Sequence, residues 1–251
     1  MSSINSSEHD SLYGSDIKEI PAYNILQASS YLKIPRETLR RWVRGQAFPS
    51  SGGYVFKPVI QLPDKDRPLL SFMNLMEAHV LDGMRRQYKV PFGRIRRGLE
   101  LLEQHYSSMH PLADHLFRTD GVDLFIDDLS HYVNISQKGQ LEMKGIVEVF
   151  LHRIERDFDN NPIQLFPFMN KPRRISHSNF DRLEQQARPV VINPLISFGK
   201  PILVGTGIPT AIIAERFRAG DKIEVLAEDY DLTEAQIEEA LWYEYPASEA
   251  A

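Results

Sequence analysis

The chain has 251 residues, no cysteine, 42% hydrophobic and 25% charged residues, and a formal net charge of −5. Those figures describe a globular protein with one large core or two to three small ones, and they exclude disulfides and cysteine-ligated zinc. No positively charged start precedes an apolar run and no apolar stretch approaches a membrane span, so the expected location is the cytoplasm, with no membrane partner.

The net charge conceals an asymmetry. Residues 20–105 carry 14 Lys and Arg against 7 Asp and Glu, whereas residues 190–251 carry 4 against 11. Two surfaces with different partners are expected.

In chain order, residues 1–19 are serine-rich, acidic and patternless, and are expected to form a disordered tail. Tyr23 to Leu32 then offers Ala28, Tyr31 and Leu32 for one packed side, and Lys33-Ile34 is a turn short enough to force two helices to cross steeply. In the second helix, within residues 34–44, Leu39, Trp42 and Val43 share one face. Arg36, Arg40 and Arg44 recur every fourth residue on another, with Arg41 beside them. This pair predicts a helix-turn-helix whose second helix is offered to a major groove. Arginine suits that place because its planar fork matches both phosphate oxygens and the acceptors of guanine. The candidate DNA-binding residues are Lys33, Arg36, Thr38, Arg40, Arg41 and Arg44.

From Phe48 to Ser71 the pattern predicts a small hairpin wing. Its strands are expected at Tyr54 to Phe56, Val59 to Leu62 and Leu69 to Ser71, with a charged turn at Asp64 to Arg67. Lys57 would reach a neighbouring phosphate and joins the candidate set. Helical periodicity follows, with Phe72, Leu75, Met76, His79, Val80 and Met84 on one face. Pro91 interrupts it, and Phe92, Ile95, Leu99 and Leu102 line a second helix. His79 is expected as a packed residue. Residues 83–99 hold Arg85, Arg86, Lys89, Arg94, Arg96 and Arg97 without one acid, so residues 20–105 form the basic, DNA-binding unit.

Residues 106–189 predict a small α+β module. Leu116 to Thr119 and Val122 to Ile126 flank Asp120-Gly121, a dipeptide suited to a tight hairpin, with a third strand at Tyr132 to Ser136. Ile146, Val147, Phe150, Leu151 and Ile154 give a helix, and the proline-studded stretch from Pro162 to Pro172 reads as short extended segments. In residues 190–251, paired strands at Val190 to Ile192 and Pro201 to Val204 precede three helices, the last opened by Thr233 with Gln236 three residues on, a capping box. That last helix carries Glu234, Glu238, Glu239 and Glu244 and no base, so it suits a protein surface better than a phosphate backbone. The fold class expected is mainly α with small β elements.

No catalytic constellation is present. Gly205-Thr206-Gly207 lacks the lysine and spacing of a phosphate loop, His105, His110 and His115 point apart, and no carboxylate pair or nucleophile can be placed. A non-enzymatic protein without cofactor or metal is expected.

Residues 22–105, with Thr38-Leu39-Arg40-Arg41-Trp42, a wing and Leu70-Ser71-Phe72 opening a helix pair, resemble the winged DNA-binding domain of MerR-type regulators. The resemblance implies a helix and wing that clamp phosphates as a dimer. The long dimerising coiled coil of those regulators is missing after residue 105. Residues 190–245, with Asn193-Pro194, Phe198-Gly199-Lys200-Pro201, Gly205-Thr206, Ile208-Pro209, Gly220-Asp221 and Leu226 to Leu232-Thr233, resemble a small bacterial family of unknown function that occurs in VapB-type antitoxins. Gly207 stands where many members have arginine. Together the resemblances imply an antitoxin that binds operator DNA as an autorepressor and neutralises a PIN-domain ribonuclease toxin, as a homodimer or a larger toxin–antitoxin assembly. Arg173, Arg174, Arg182 and Arg188 would then face the acids of the toxin. The alternative is a ligand-responsive MerR-like repressor without a toxin, in which residues 106–189 sense a small molecule.

Overall fold

The computed structural model describes residues 16–47, 55–56, 58–64, 66–88, 92–106, 108–114, 117–132, 137–171 and 177–245. Among the described residues it is mainly helical with two small antiparallel sheets, the class expected. Helices α1 (Ile25–Leu32) and α2 (Arg36–Arg44) are followed by β1 (Gln46–Ala47) and β2 (Val55–Phe56), which pair antiparallel. Next come α3 (Phe72–Tyr88), α4 (Phe92–Tyr106), α5 (Val122–Tyr132) and α6 (Gln137–Leu151). The remainder is β3 (Ile154–Arg156), β4 (Pro162–Leu165), α7 (His177–Glu184), β5 (Val190–Ile192), β6 (Pro201–Leu203), α8 (Thr210–Ala219), α9 (Ile223–Tyr230) and α10 (Glu234–Glu244).

The wing is smaller than its sequence pattern predicts. Val59 to Leu62 is not a strand, because the amides of Val59 and Ile60 both donate to the Trp42 carbonyl, at 2.8 and 3.0 Å, and seat Ile60 in the core. Leu70 makes only an isolated bridge to Tyr23. A larger departure lies at residues 117–132. The hairpin expected around Asp120-Gly121 is a π-helical turn, Phe117–Gly121, running directly into α5. Val122, Phe125 and Ile126 are buried at the i, i+3, i+4 spacing of a helix, with Asp123 and Asp127 exposed.

Four strands form one sheet in the order β3-β4-β5-β6, all antiparallel, so residues 154–165 and 190–203 share it. The main apolar core likewise runs through the chain from Tyr23 to Ile192 without a break at residue 105. A second core, with Ile213, Leu226, Ile237 and Leu241, holds α8 to α10. Polar side chains rivet these parts together. The Lys171 ammonium donates to the Leu32 carbonyl and pairs with Asp82 at 2.6 Å, both side chains being buried. Arg153, 1% exposed, donates to the carbonyls of Gln186 at 2.7 Å and Ala187 at 3.2 Å just past the end of α7. Burial pushes its guanidinium down to about 10, with nearby Arg188 adding to the effect. His79 is packed as expected: its ring lies against Phe168 and its Nε2 sits 3.0 Å from the Phe150 carbonyl. Burial and Lys171 hold it neutral.

Ile17–Glu19, at the end of the expected tail, form a 3-10 turn. Glu19 reaches His110, whose ring spans two carboxylates: Nε2 lies 2.9 Å from Glu19 and Nδ1 2.9 Å from the buried Glu77. Among the described residues no group of His, Asp and Glu could hold a metal ion, and no helix is long and apolar enough to cross a membrane.

Candidate nucleic-acid interface

The helix-turn-helix is built by local chemistry. Asn24 and Gln27 form a capping box at the start of α1, each accepting the other's backbone amide. Lys33 ends α1 in the left-handed region, φ 51°, and the Ser29 hydroxyl donates to the Ile34 carbonyl at 2.7 Å, fixing the turn. Gly45, φ 72°, closes α2.

Helix α2 divides as its spacing dictates. Leu39, Trp42 and Val43 are buried, and Arg36, Arg40, Arg41 and Arg44 are exposed, with Thr38 half-buried. Burying the three apolar residues fixes the rotation of the helix, so the arginines can only face outward. Arg36, Arg40 and Arg44 stand about 6 Å apart along the axis. With Asn24, Ile25, Leu26, Pro68 and Leu69 they line a groove of about 500 Å³. One wall therefore carries three guanidiniums and the other is mostly apolar, with Leu26 61% exposed. Glu37 is the one acid on α2 and lies 3.6 Å from Arg40, an exposed pair worth under about 1 kcal/mol that leaves the cationic character intact. Such a ridge can bind a polyanion, with guanidiniums placed for phosphate oxygens or base edges.

The other candidate residues fall elsewhere. Lys33 is turned inward: its ammonium lies 4.0 Å over the Tyr243 ring, and burial pushes its pKa down although Glu244 opposes this. That lysine serves an internal contact. Arg182, on α7, and Arg188 are exposed, and Arg188 lies 5.6 Å over the Phe166 ring. Lys57, Arg173 and Arg174 lie outside the described residues. The sequence signal missed the apolar wall of the groove, because Leu26, Pro68 and Leu69 are brought together only by the fold. Arg85 was visible merely as part of a basic run. It packs 5.9 Å over the Trp42 ring, close enough to Arg41 for repulsion to be felt, and burial lowers its pKa.

A helix-turn-helix with an outward arginine ridge, fastened to an acidic three-helix domain, defines the class of protein. Comparison with known proteins agrees in order and position. Residues 21–99 match the family model described as "Putative DNA-binding HTH domain", and residues 190–243 match "Protein of unknown function (DUF433)". The chain is 29% identical over 241 residues to "Putative antitoxin VapB45" of Mycobacterium tuberculosis, covering 89% of this chain and 93% of that protein. It is 22% identical over 231 residues to "Uncharacterized protein Rv2308" of the same organism, covering 88% and 89%. The crystal structure of Rv2018 from Mycobacterium tuberculosis superposes with a TM-score of 0.60 at 26% identity, covering 88% of this chain and 98% of that one.

Proposed function

We propose that this protein is a DNA-binding antitoxin: residues 20–105 bind operator DNA as a homodimer and repress its own operon, and the remainder captures and neutralises a PIN-domain ribonuclease toxin. The observation that carries the DNA half is the arginine ridge of α2, held outward by the buried Leu39, Trp42 and Val43. The toxin half rests on the likeness to the relative named an antitoxin and on the acidic C-terminal domain. The ridge makes a quantitative demand. Removing one phosphate-binding cation lowers the slope of log affinity against log salt by roughly 1. The Arg40→Ala/Arg44→Ala variant is therefore expected to bind DNA from upstream of its own gene more weakly, with a slope smaller by up to about 2. A folded double variant that binds like the parent across salt would remove α2 from the interface. For the toxin half, the tagged chain is purified from its own host, and a ribonuclease that travels with it and is silent until released is the expected result.

A ligand-responsive repressor without a toxin is the second reading. It is favoured by an open cleft of about 710 Å³ between α5 and α6, lined by Asp123, Leu124, Asp127, Gln140, Leu141 and Lys144. A metabolite that stabilises the protein and releases it from DNA, with no nuclease in the preparation, would decide for it.

A further inference from the structure

Two tryptophans occupy opposite environments. Trp42 is fully buried, whereas Trp242 on α10 is 63% exposed. An indole offers a large apolar surface, and leaving it in water has no folding benefit. Its neighbours Leu241 and Tyr243 are buried, so α10 is fully seated and Trp242 projects by helical geometry, not by fraying. Trp242, Tyr245 and Glu239 form one wall of a groove of about 370 Å³, with Met169, Asn170, Ala187 and Pro189 opposite. Arg188, between two of those residues, is drawn over Phe166.

The charge around this groove selects its occupant. Residues 223–245, which include α9 and α10, hold eight Asp and Glu and no Lys or Arg. Glu238 and Glu239 stand four and three residues before Trp242, on the same side of α10, and Glu224, Glu228 and Glu234 are exposed. An apolar anchor with Glu238 and Glu239 beside it, on a stretch of chain whose charges are all acidic, fits a protein surface that is itself cationic and built for a polyanion. We propose that Trp242 and its acidic rim dock the cationic, RNA-binding surface of the captured nuclease, so that the antitoxin competes with substrate for the ground the substrate would occupy. This deepens the antitoxin reading and rests on it. The partner face engaged is the one that holds RNA, not its cluster of catalytic acids.

The experiment uses the full chain carrying Trp42→Phe, which leaves Trp242 as the sole indole, and the nuclease that co-purifies with it. Adding the nuclease should shift the Trp242 emission to shorter wavelength as the indole leaves water. Heparin or single-stranded RNA, each a probe for the same cationic surface, should reverse the shift. Trp242→Ala is expected to weaken capture at least about tenfold, and Glu238→Lys/Glu239→Lys to weaken it further at low salt than at high salt. The control is Phe158→Ala, which removes a fully exposed aromatic in the β3–β4 turn and should change nothing. If the nuclease is captured but Trp242→Ala binds as the parent does, or RNA fails to compete, the docking site is wrong while the antitoxin reading stands. If no nuclease accompanies the chain, the antitoxin reading fails and this site falls with it. A chain ending at Tyr245 identifies the remaining occupant: if truncation alone moves the Trp242 emission to longer wavelength and leaves capture unchanged, residues 246–251 cover the groove and the proposal is overturned.

Discussion

Trp42 sits on α2, the helix proposed to meet DNA, so its role decides whether that helix would read DNA with an aromatic side chain or only with its arginines. The structure makes it a strut. Its indole is fully buried beside Leu39 and Val43, Arg85 packs over the ring, and its carbonyl anchors Val59 and Ile60. An aromatic side chain buries roughly 150–250 Å², which at about 25 cal/mol per Å² is roughly 4–6 kcal/mol as an upper bound. Truncation also leaves a cavity that the domain fills only in part, and the usual cost of Trp→Ala in a core is about 3–5 kcal/mol. For a chain of 251 residues that lowers the melting temperature by roughly 6–10 °C. Among the described residues the indole Nε1 has no hydrogen-bond partner, and an orphaned buried N–H costs about 1–3 kcal/mol. Trp42→Phe gives up some packing but also removes that burden, so a destabilisation of only about 1–2 kcal/mol is expected. Thermal and urea unfolding measure both variants, and DNA affinity is then compared where each is folded. A Trp42→Ala protein that melts with the parent but no longer binds DNA would refute the strut and make Trp42 a base-contacting residue.

Two further expectations concern buried polar pairs and a third a close approach at Gly199. Lys171→Met removes the buried ammonium that Asp82 meets at 2.6 Å and should cost up to about 3–5 kcal/mol in urea unfolding; Lys171→Met/Asp82→Leu should recover much of that, and a single variant as stable as the parent would show the pair to be idle. For His110, burial alone would push the imidazole down, but the hydrogen bonds and charges of Glu19 and Glu77 lift it to about 10. Its contribution to stability is therefore complete below its ordinary value near 6.5 and is lost as pH rises towards 10; His110→Gln should flatten stability between those limits, and an unchanged pH profile would contradict the bridge. At Gly199, φ +70°, an added Cβ would lie 1.9 Å from the Tyr23 hydroxyl oxygen. Gly199→Ala should thus destabilise by more than about 1 kcal/mol, and Tyr23→Phe in the same chain should relieve part of it; a neutral Gly199→Ala would mean that this loop does not press on the helix-turn-helix.

What could be read from the sequence was the chemistry that acts over short spans. The capping residues of α10, the i, i+4 arginines of α2, the β5–β6 pair and the helical periods of α3 and α4 all announce themselves within one or two turns. Residues 122–126 misled for a definite reason. Asp120-Gly121 favours a hairpin locally, and a short apolar run of five residues cannot be assigned to strand or helix until its packing partner is known. The packing of Phe125 against Phe117 and Gly98 decides it. Pairings between distant residues left no local trace at all. Lys171 with Asp82, His110 with Glu19 and Glu77, and Arg153 with the carbonyls beyond α7 look like ordinary surface charges in the chain. Lys33 shows the consequence: a cation beside a recognition helix reads as a phosphate ligand until Tyr243, more than two hundred residues later, takes it.

That pairing places the two halves of the molecule on one helix. Tyr243 is buried, and its hydroxyl donates at 2.8 Å to the carbonyl of Tyr31, in the last turn of α1. Trp242, the residue before it, points about 100° away around α10 into the acidic groove. The surface proposed for the partner and the seat of the DNA-binding motif are therefore adjacent side chains of a single rigid element, with Glu244 next to them acting on Lys33. Coupling between two sites needs an element that both ligands contact differently in two states, and it is reciprocal when it exists. Helix α10 is the element on which both surfaces converge. On the proposed reading, a partner docked at Trp242 and DNA docked at α2 would both bear on α10, through Trp242 and through the Tyr243–Tyr31 hydrogen bond.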